Sequence, residues 1–211
     1  MMATDHRRDL VISFLTLRKS IGVLGISLPF VMVLGHVMLG ETPVLPDLSS
    51  YYFGPMGDVF VGILCATAVF SFAYRGPERK DDIAGDIVAV SALGVAFFGG
   101  GQLSPTPDGL IAQIHSLAAL VFFLTLSYFC IFLFTKSGSS PTPQKLKRNR
   151  IYKLCGYTML LMIAGMGVYI FLREKHPQIA QYNMTFWMES VAQVAFGIAW
   201  FTKGEGLLKD K

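Results

Sequence analysis

Residues 110–134 read LIAQIHSLAALVFFLTLSYFCIFLF, a run of 25 residues that contains no Lys, Arg, Asp or Glu. A helix needs about 20 consecutive, mainly apolar residues to cross the hydrocarbon core of a bilayer. The run meets that length and predicts a transmembrane helix. The whole chain of 211 residues is 53% hydrophobic and 15% charged, a composition that excludes an ordinary soluble enzyme.

Five further apolar runs lie on either side of this one, each bounded by charged residues or by Gly and Pro turns. Together the runs predict six transmembrane helices, at residues 19–39, 56–74, 83–101, 110–134, 154–172 and 184–201. The remaining residues suffice only for tails and connections, so no separate soluble domain fits. We therefore expect an all-α fold, with residues 1–211 forming one integral membrane bundle.

The basic residues indicate which way the helices run. The two tails, the connection between helices 2 and 3 and the connection between helices 4 and 5 hold 16 of the 18 Lys and Arg residues, leaving only Arg173 and Lys175 elsewhere. Cytoplasmic segments carry such an excess. Both termini are therefore predicted to be cytoplasmic, as an even number of spans requires, in a plasma membrane of bacterial type, the bacterial inner membrane.

Four ionisable residues fall within or at the ends of the predicted spans on the side away from the basic tails. An ionisable side chain at the centre of a span costs about 2.5 to 3.5 kcal/mol on insertion scales, so each is a functional candidate. They come from four different helices but lie at similar depth, on the side away from the basic tails: His36, Asp58, His115 and Glu189. The hydroxyl-bearing run Ser49-Ser50-Tyr51-Tyr52 precedes Asp58 on that side. The sequence thus predicts a polar pocket that opens outward.

Two chemistries suit these side chains. Two imidazoles and two carboxylates are donors that Zn²⁺ accepts, and a zinc-bound water is a hydrolytic nucleophile at neutral pH. Without a metal, Glu189 or Asp58 could act as a general base beside a histidine. Structural explanations stay open, because Asp58 at a helix N-terminus also caps free N–H groups and His36 can reach lipid headgroups. No HxxxH or HExxH pair places two ligands on one helix face.

Several segments resemble uncharacterised bacterial six-helix membrane proteins of the DUF998 and Frag1-like groups. The resemblance rests on four stretches: residues 49–52 (SSYY), 57–62 (GDVFVG), 72–76 (FAYRG) and 186–189 (FWME), with further likeness at residues 196–197 and 203–205. It implies six helices and brings no established activity.

A more distant resemblance is to the CREST membrane hydrolases, which include alkaline ceramidases and use a Ser, an Asp and three His around zinc. The partial counterparts that this resemblance implies are Ser50 or Ser49, Asp58, His36 and His115. The chain has six predicted spans instead of seven, and its last helix carries Glu189 where those hydrolases have an HxxxH motif.

Three hypotheses follow from the sequence. The first is a membrane-embedded hydrolase of a lipid or another amphiphile, with Glu189, Asp58 and Ser50 as catalytic residues. In this hypothesis zinc is the expected cofactor, with His36, His115, Asp58 and Glu189 as its ligands. The second is a small transporter or channel subunit, and the third is a structural accessory subunit. Membrane lipids are the expected partners, together with a second copy of the chain or another membrane subunit, and no nucleic acid is expected.

Overall fold

The computed structural model describes residues 2–42 and 44–209, with side chains from Phe14 onward. Within this part of the chain the fold is all-α and contains no strand. Six α-helices are present: α1 (Met2–Met38), α2 (Gly57–Ala73), α3 (Arg79–Phe97), α4 (Leu110–Tyr128), α5 (Pro143–Lys175) and α6 (Met184–Lys203). Two 3₁₀ turns, Ser49–Phe53 and Pro177–Tyr182, precede α2 and α6, and a π-helical turn, Phe129–Leu133, continues α4.

Each of the six predicted spans overlaps one helix, and three boundaries show the clearest differences. Helix α1 begins well before residue 19 and α5 begins at Pro143, because polar and basic turns continue each helix beyond its apolar run. Helix α3 ends at Phe97 and not at residue 101, so the prediction was wrong there. Gly99, Gly100 and Gly101 follow it as loop, and the backbone of Gly101 has φ +94, a left-handed conformation that glycine adopts without strain.

The helices follow one another around a ring. Each packs against the next in the chain, and α6 packs against both α5 and α1, which closes the ring. The connection at residues 74–78 is too short to cross the bundle, so α2 and α3 run antiparallel. We call the end that carries residues 39–56, 98–109 and 176–183 the site end. The opposite end, with residues 74–78, 134–142 and 204–209, is the basic end.

Helices α1 and α6 approach each other most closely through glycine. A Cβ atom built on Gly22 would lie 2.4 Å from the backbone nitrogen of Phe201, and one on Gly197 would lie 2.4 Å from the backbone nitrogen of Ile26. Neither helix can therefore carry a larger residue at these positions without moving. Small residues at such crossings are typical of helix pairs in membranes.

The outer surface of the bundle is apolar. Large apolar side chains are exposed on all six helices: Phe30 and Leu34 on α1, Val69 and Phe72 on α2, Val90 and Phe97 on α3, Leu117 and Leu120 on α4, Leu154 and Leu161 on α5, and Trp187 and Val191 on α6. Soluble monomers rarely expose patches of this extent. Three segments, Phe14–Met38, Leu110–Leu133 and Pro143–Lys175, are long and apolar enough to cross a membrane, and Gly57–Ala73 is a shorter apolar helix. The apolar surface and these apolar helices are compatible with a membrane protein.

The basic end is held together by aromatic rings that pack edge-to-face, which we call the aromatic cluster. The ring centroids of Tyr74 and Trp200 lie 5.0 Å apart, those of Phe134 and Trp200 5.2 Å apart, and those of Phe134 and Tyr152 5.4 Å apart. Edge-to-face pairs at such distances add stabilisation beyond the burial of the rings. Because these four residues come from different segments, the cluster fixes the ends of α2, α4, α5 and α6 against one another.

An ion-pair network joins two connections at the basic end. Lys136 Nζ lies 2.8 Å from Asp81 Oδ2 and 3.1 Å from Glu78 Oε1, and Lys80 Nζ lies 2.9 Å from Glu78 Oε2. Hydrogen bonds from Lys80 and Lys136 lower the pKa of the Glu78 carboxyl. Asp81 is 1% exposed, so its carboxylate depends on Lys136 for a charge partner.

Candidate active site

The candidate site is built on a loop that folds back over the site end. Asp47 organises this loop: its Oδ1 accepts hydrogen bonds of 2.7 Å from the backbone nitrogen and the Oγ of Ser50. Its Oδ2 accepts 2.8 Å from the backbone nitrogen of Gln102, in the next loop at this end. Gly101 must be glycine here, because a Cβ on it would lie 2.5 Å from Asp47 Oδ1. Asp47 therefore fixes the turn Ser49–Phe53 against the loop that follows α3.

Ser49 and His115 form a hydrogen-bonded pair at the centre of the site. Ser49 Oγ lies 2.8 Å from His115 Nε2, and the other ring nitrogen, Nδ1, lies 2.7 Å from the carbonyl oxygen of Phe98. A carbonyl oxygen can only accept a hydrogen bond, so Nδ1 carries the proton. In the neutral ring Nε2 is then an acceptor, and the Ser49 hydroxyl donates to it. This is the arrangement that a histidine needs in order to deprotonate a serine.

Glu189 lies on the opposite wall, on α6. Its Oε2 accepts a hydrogen bond of 2.7 Å from the backbone nitrogen of Leu48, the residue before Ser49. The start of α6 is tied to the same loop, because the backbone nitrogen of Phe186 donates 3.2 Å to the carbonyl oxygen of Pro46. The loop that carries Ser49 is thus held from α4, from α6 and from the loop after α3.

A cavity of about 520 Å³ lies between α4, α5 and this loop. Its polar end lies at the site end of the bundle and includes Asp47, Ser49, Gln102, His115, Arg173 and Glu189. Deeper in the bundle the wall is apolar and consists of side chains from α4 and α5, among them Ala119, Leu120, Phe123, Ile163, Met166 and Ile170. The cavity is therefore amphiphilic, with a polar end and an apolar channel.

Arg173 and Gln102 form the rim of the polar end. The Arg173 guanidinium donates a hydrogen bond to Gln102 Oε1. Gln102 is in turn held by Asp47 through its backbone nitrogen, so the arginine is linked to the loop that carries Ser49. Its guanidinium therefore adds one positive charge to the cavity that Asp47 and Glu189 also line.

His36 and Asp58 lie apart from the cavity. The His36 ring packs edge-on against Tyr51 at 4.9 Å, its Nδ1 lies 2.7 Å from the carbonyl oxygen of Thr42, and its Nε2 is buried without a hydrogen-bond partner among the described residues. Asp58 is exposed in the first turn of α2. Of the residues predicted from the sequence, the cavity brings together His115 and Glu189, with Ser49 as the serine.

The predicted zinc ligands do not meet as a set. In the described part of the chain no three His, Cys, Asp or Glu side chains lie close enough to hold a metal ion. Both nitrogens of His115 already have protein partners, and Asp58 is exposed and does not line the cavity. The donors as arranged do not fit zinc, and zinc binding by His36, His115, Asp58 and Glu189 stays a prediction. Elemental mass spectrometry of the purified protein and of His115→Ala tests it.

Ser50 has a different position from its neighbour. It is completely buried, donates to Asp47 and accepts a hydrogen bond of 3.3 Å from the backbone nitrogen of Leu103. Its hydroxyl is therefore fully used in holding the loop, and a catalytic role for Ser50 stays a prediction without support from its contacts.

Sequence reasoning overlooked Asp47 and Arg173. The spacing Asp47-x-x-Ser50 after a proline is typical of a turn in which the carboxylate accepts from a backbone N–H three residues later, and that signal could have identified Asp47. Arg173 was considered only as one of the two basic residues outside the predicted cytoplasmic segments, because nothing in the sequence indicates that it lines a cavity.

The chain matches no protein-family model, no curated protein and no solved structure. The resemblances to six-helix proteins of the DUF998 and Frag1-like groups and to the CREST hydrolases therefore stay predictions.

Proposed function

We propose that this protein is a membrane-embedded hydrolase that cleaves an ester or amide bond of a lipid-like amphiphile, with Ser49 as nucleophile and His115 as general base. The observation that carries the proposal is the Ser49–His115 hydrogen bond at the polar end of an amphiphilic cavity. Such a cavity suits a ligand with a polar head and an apolar chain, because each part then meets a wall of its own character.

The reaction follows from the hydrogen bonds of the pair. Ser49 Oγ attacks the carbonyl carbon while His115 Nε2 takes the hydroxyl proton, and the leaving group departs with that proton as the acyl-enzyme forms. A water molecule, deprotonated by the same nitrogen, then releases the acyl group as an acid and restores the serine. The Phe98 carbonyl keeps the ring oriented throughout, in the place that a carboxylate occupies in a catalytic triad.

Charge near the histidine supports the same role. His115 becomes an imidazolium during the reaction, which burial of the ring disfavours, and the negative charge of the nearby Asp47 carboxylate offsets part of that cost. Arg173, at the cavity rim, is a cationic donor that can face an anionic or polar headgroup.

The proposal includes a location. We propose that all six helices cross the plasma membrane of a bacterium with both termini in the cytoplasm, so that the site end lies at the outer leaflet. The support is the exposed apolar surface on every helix and the concentration of basic residues at the opposite end of the bundle. A substrate from the outer leaflet would enter between α4 and α5, where the cavity is apolar.

The test is hydrolysis by the purified protein in uncharged detergent, with lysophospholipids, monoacylglycerols and N-acyl amides as substrates. Wild type is expected to release fatty acid from at least one class, and Ser49→Ala and His115→Ala are each expected to lose about 10³-fold or more in kcat. The matched control is Ser116→Ala, since Ser116 also lines the cavity but, among the described residues, its hydroxyl bonds only the Ala112 carbonyl.

The control variant decides between catalysis and simple loss of structure. Ser116→Ala should keep activity within about threefold of wild type, because nothing in the proposed reaction uses that hydroxyl. Equal turnover in wild type and Ser49→Ala, or no turnover of any class by wild type, contradicts the proposal. The latter result would favour transport of an amphiphile through the same cavity.

A further inference from the structure

Gly167 lies on the α5 wall of the apolar channel that leads inward from the candidate active site. We propose that Gly167 determines how long an acyl chain the cavity accepts, and that this chain is shorter than the chains of bulk membrane lipids. The inference deepens the proposed function and rests on it, because it takes the scissile bond to lie beside Ser49 with the chain in the channel.

The channel is formed by one face of α4 and one face of α5. Its α5 wall is built from residues that recur every three or four positions and therefore share a face: Ile163, Met166, Gly167, Ile170 and Arg173. Helix α4 runs from the site end toward the basic end, and α5 runs back. Phe123 on α4 and Ile163 on α5 are therefore the deepest of the lining residues on their helices.

The depth of the channel limits the length of the chain. Ser49 lies at the level of His115, to which it is hydrogen-bonded, and Phe123 follows His115 by eight residues, about 12 Å along the helix axis. The hydrocarbon core of a bilayer is about 30 Å thick, so the chains of bulk lipids span about 15 Å in each leaflet. A chain that begins beside Ser49 and ends at Phe123 is shorter than that.

Packing does not explain why residue 167 is glycine. A Cβ built on Gly167 would meet no described part of the protein within 4 Å beyond its own stretch of helix, whereas one on Gly165 would lie 3.2 Å from Met188 Sδ. Glycine inside a helix is destabilising relative to alanine. Gly62 in α2 is equally open, but it does not line the cavity. Only at Gly167 does the missing side chain leave room for a ligand in the channel.

A larger side chain at residue 167 would block the channel partway along its length. Gly167 lies four residues from Ile163, at the deep end, and six residues from Arg173, at the rim. A leucine at this position extends into the open space and leaves room beside Ser49 only for a short chain. The expected effect is therefore a change in chain-length preference and not a general loss of activity.

Hydrolysis of monoacylglycerols that differ only in chain length tests the inference. Butanoyl, octanoyl, dodecanoyl and hexadecanoyl glycerol are supplied in the same uncharged detergent. Dividing kcat/KM of each variant by that of wild type at the same chain length cancels partition of the substrate into detergent. Wild type is expected to prefer dodecanoyl over hexadecanoyl glycerol. Gly167→Leu is expected to keep butanoyl turnover within about threefold and to lose about tenfold or more with dodecanoyl glycerol.

The matched control places the same side chain elsewhere on α5. Ala164 is exposed and does not line the cavity, so Ala164→Leu should leave the chain-length preference unchanged. If Gly167→Leu fails to fold, Gly167→Ala replaces it. Its single added carbon should cause a smaller loss that is confined to the two longer chains.

A binding measurement separates the inference from the proposed hydrolysis. Alkyl glycerol ethers have no carbonyl carbon for Ser49 to attack, so native mass spectrometry with equal amounts of octyl and dodecyl glycerol reports binding without turnover. Gly167→Leu is expected to lower the ratio of bound dodecyl to octyl glycerol by about tenfold or more, relative to wild type and to Ala164→Leu. This result in a protein that hydrolyses none of the esters would refute the hydrolase and support the chain-length inference.

Two results would overturn the inference while leaving the hydrolase intact. One is an equal loss of turnover at every chain length in Gly167→Leu. The other is a chain-length profile of Gly167→Leu that matches the profile of Ala164→Leu. A wild type that binds neither ether would overturn it as well.

Discussion

Two adjacent serines show how a single position decides between structure and chemistry. Ser50 uses its hydroxyl to join Asp47 to the backbone of Leu103, whereas the Ser49 hydroxyl contacts His115 beside the cavity. The 3₁₀ turn Ser49–Phe53 points the two side chains in different directions. Only the Ser49 hydroxyl is therefore positioned to react.

Substitution of the two serines should separate stability from activity. Ser50→Ala removes two buried hydrogen bonds and is expected to lower the free energy of unfolding by about 1–3 kcal/mol. Ser49→Ala is expected to cost about 1 kcal/mol or less, since its histidine partner keeps the Phe98 carbonyl, but to abolish turnover. Thermal unfolding in detergent, followed by circular dichroism, measures the first effect, and fatty acid release measures the second. The reverse pattern would contradict the assignment of Ser49.

At the scale of elements, the bundle depends on close helix contacts and on one ion-pair network. The contact of α1 with α6 requires glycine at residues 22 and 197, where the backbones leave no room for a Cβ. The network at the basic end ties the connection before α3 to the segment after α4 through Lys136. Each feature can be tested by a single substitution.

The α1–α6 contact should be sensitive to one added methyl group. Gly197→Ala forces the Cβ against the backbone of Ile26 and is expected to lower the free energy of unfolding by about 1–3 kcal/mol, because the two helices must separate. Gly62→Ala is the matched control: a Cβ at Gly62 in α2 meets nothing within 4 Å, and alanine favours a helix by up to about 1 kcal/mol. Unfolding midpoints should therefore shift in opposite directions. A Gly197→Ala protein as stable as wild type would contradict the described packing.

The ion pair of Lys136 with Asp81 should contribute more to stability than the exposed ion pair of Lys80 with Glu78. Lys136→Met leaves the buried Asp81 carboxylate without its cation and is expected to cost about 2–4 kcal/mol in unfolding free energy. Lys80→Met removes only the exposed pair with Glu78 and should leave stability close to that of wild type. Denaturant titration of both variants makes the comparison, and equal effects would contradict the burial of Asp81.

At the scale of the whole molecule, the hydrophobic runs predicted the six helices, because a helix that is buried in lipid or in protein needs apolar side chains along its whole length. The boundaries of α2, α4 and α6 followed the runs, while α1 and α5 extend beyond their apolar runs into polar segments. The triple glycine after α3 could be counted as helix by composition, yet the positive φ of Gly101 places it in a loop.

The site was predictable only in part. His115 and Glu189 stood out because an ionisable group in an apolar run needs a partner, and both line the cavity. The choice of Ser49 over Ser50, the role of Asp47 and the meeting of α4 with α5 around the cavity depend on loop geometry and helix order. Loop geometry and helix order leave no periodic pattern in the sequence, so these features could not be predicted from the sequence alone.

The most direct test of the account is covalent labelling of the purified protein with a fluorophosphonate that carries an alkyl chain. An activated serine oxygen attacks the phosphorus, fluoride leaves, and peptide mass spectrometry locates the adduct. The account predicts an adduct on Ser49 in wild type and in Ser116→Ala, and none on Ser49 in His115→Ala. An unlabelled Ser49, under conditions that label a known serine hydrolase in the same detergent, would contradict the central claim, and so would labelling that persists in His115→Ala.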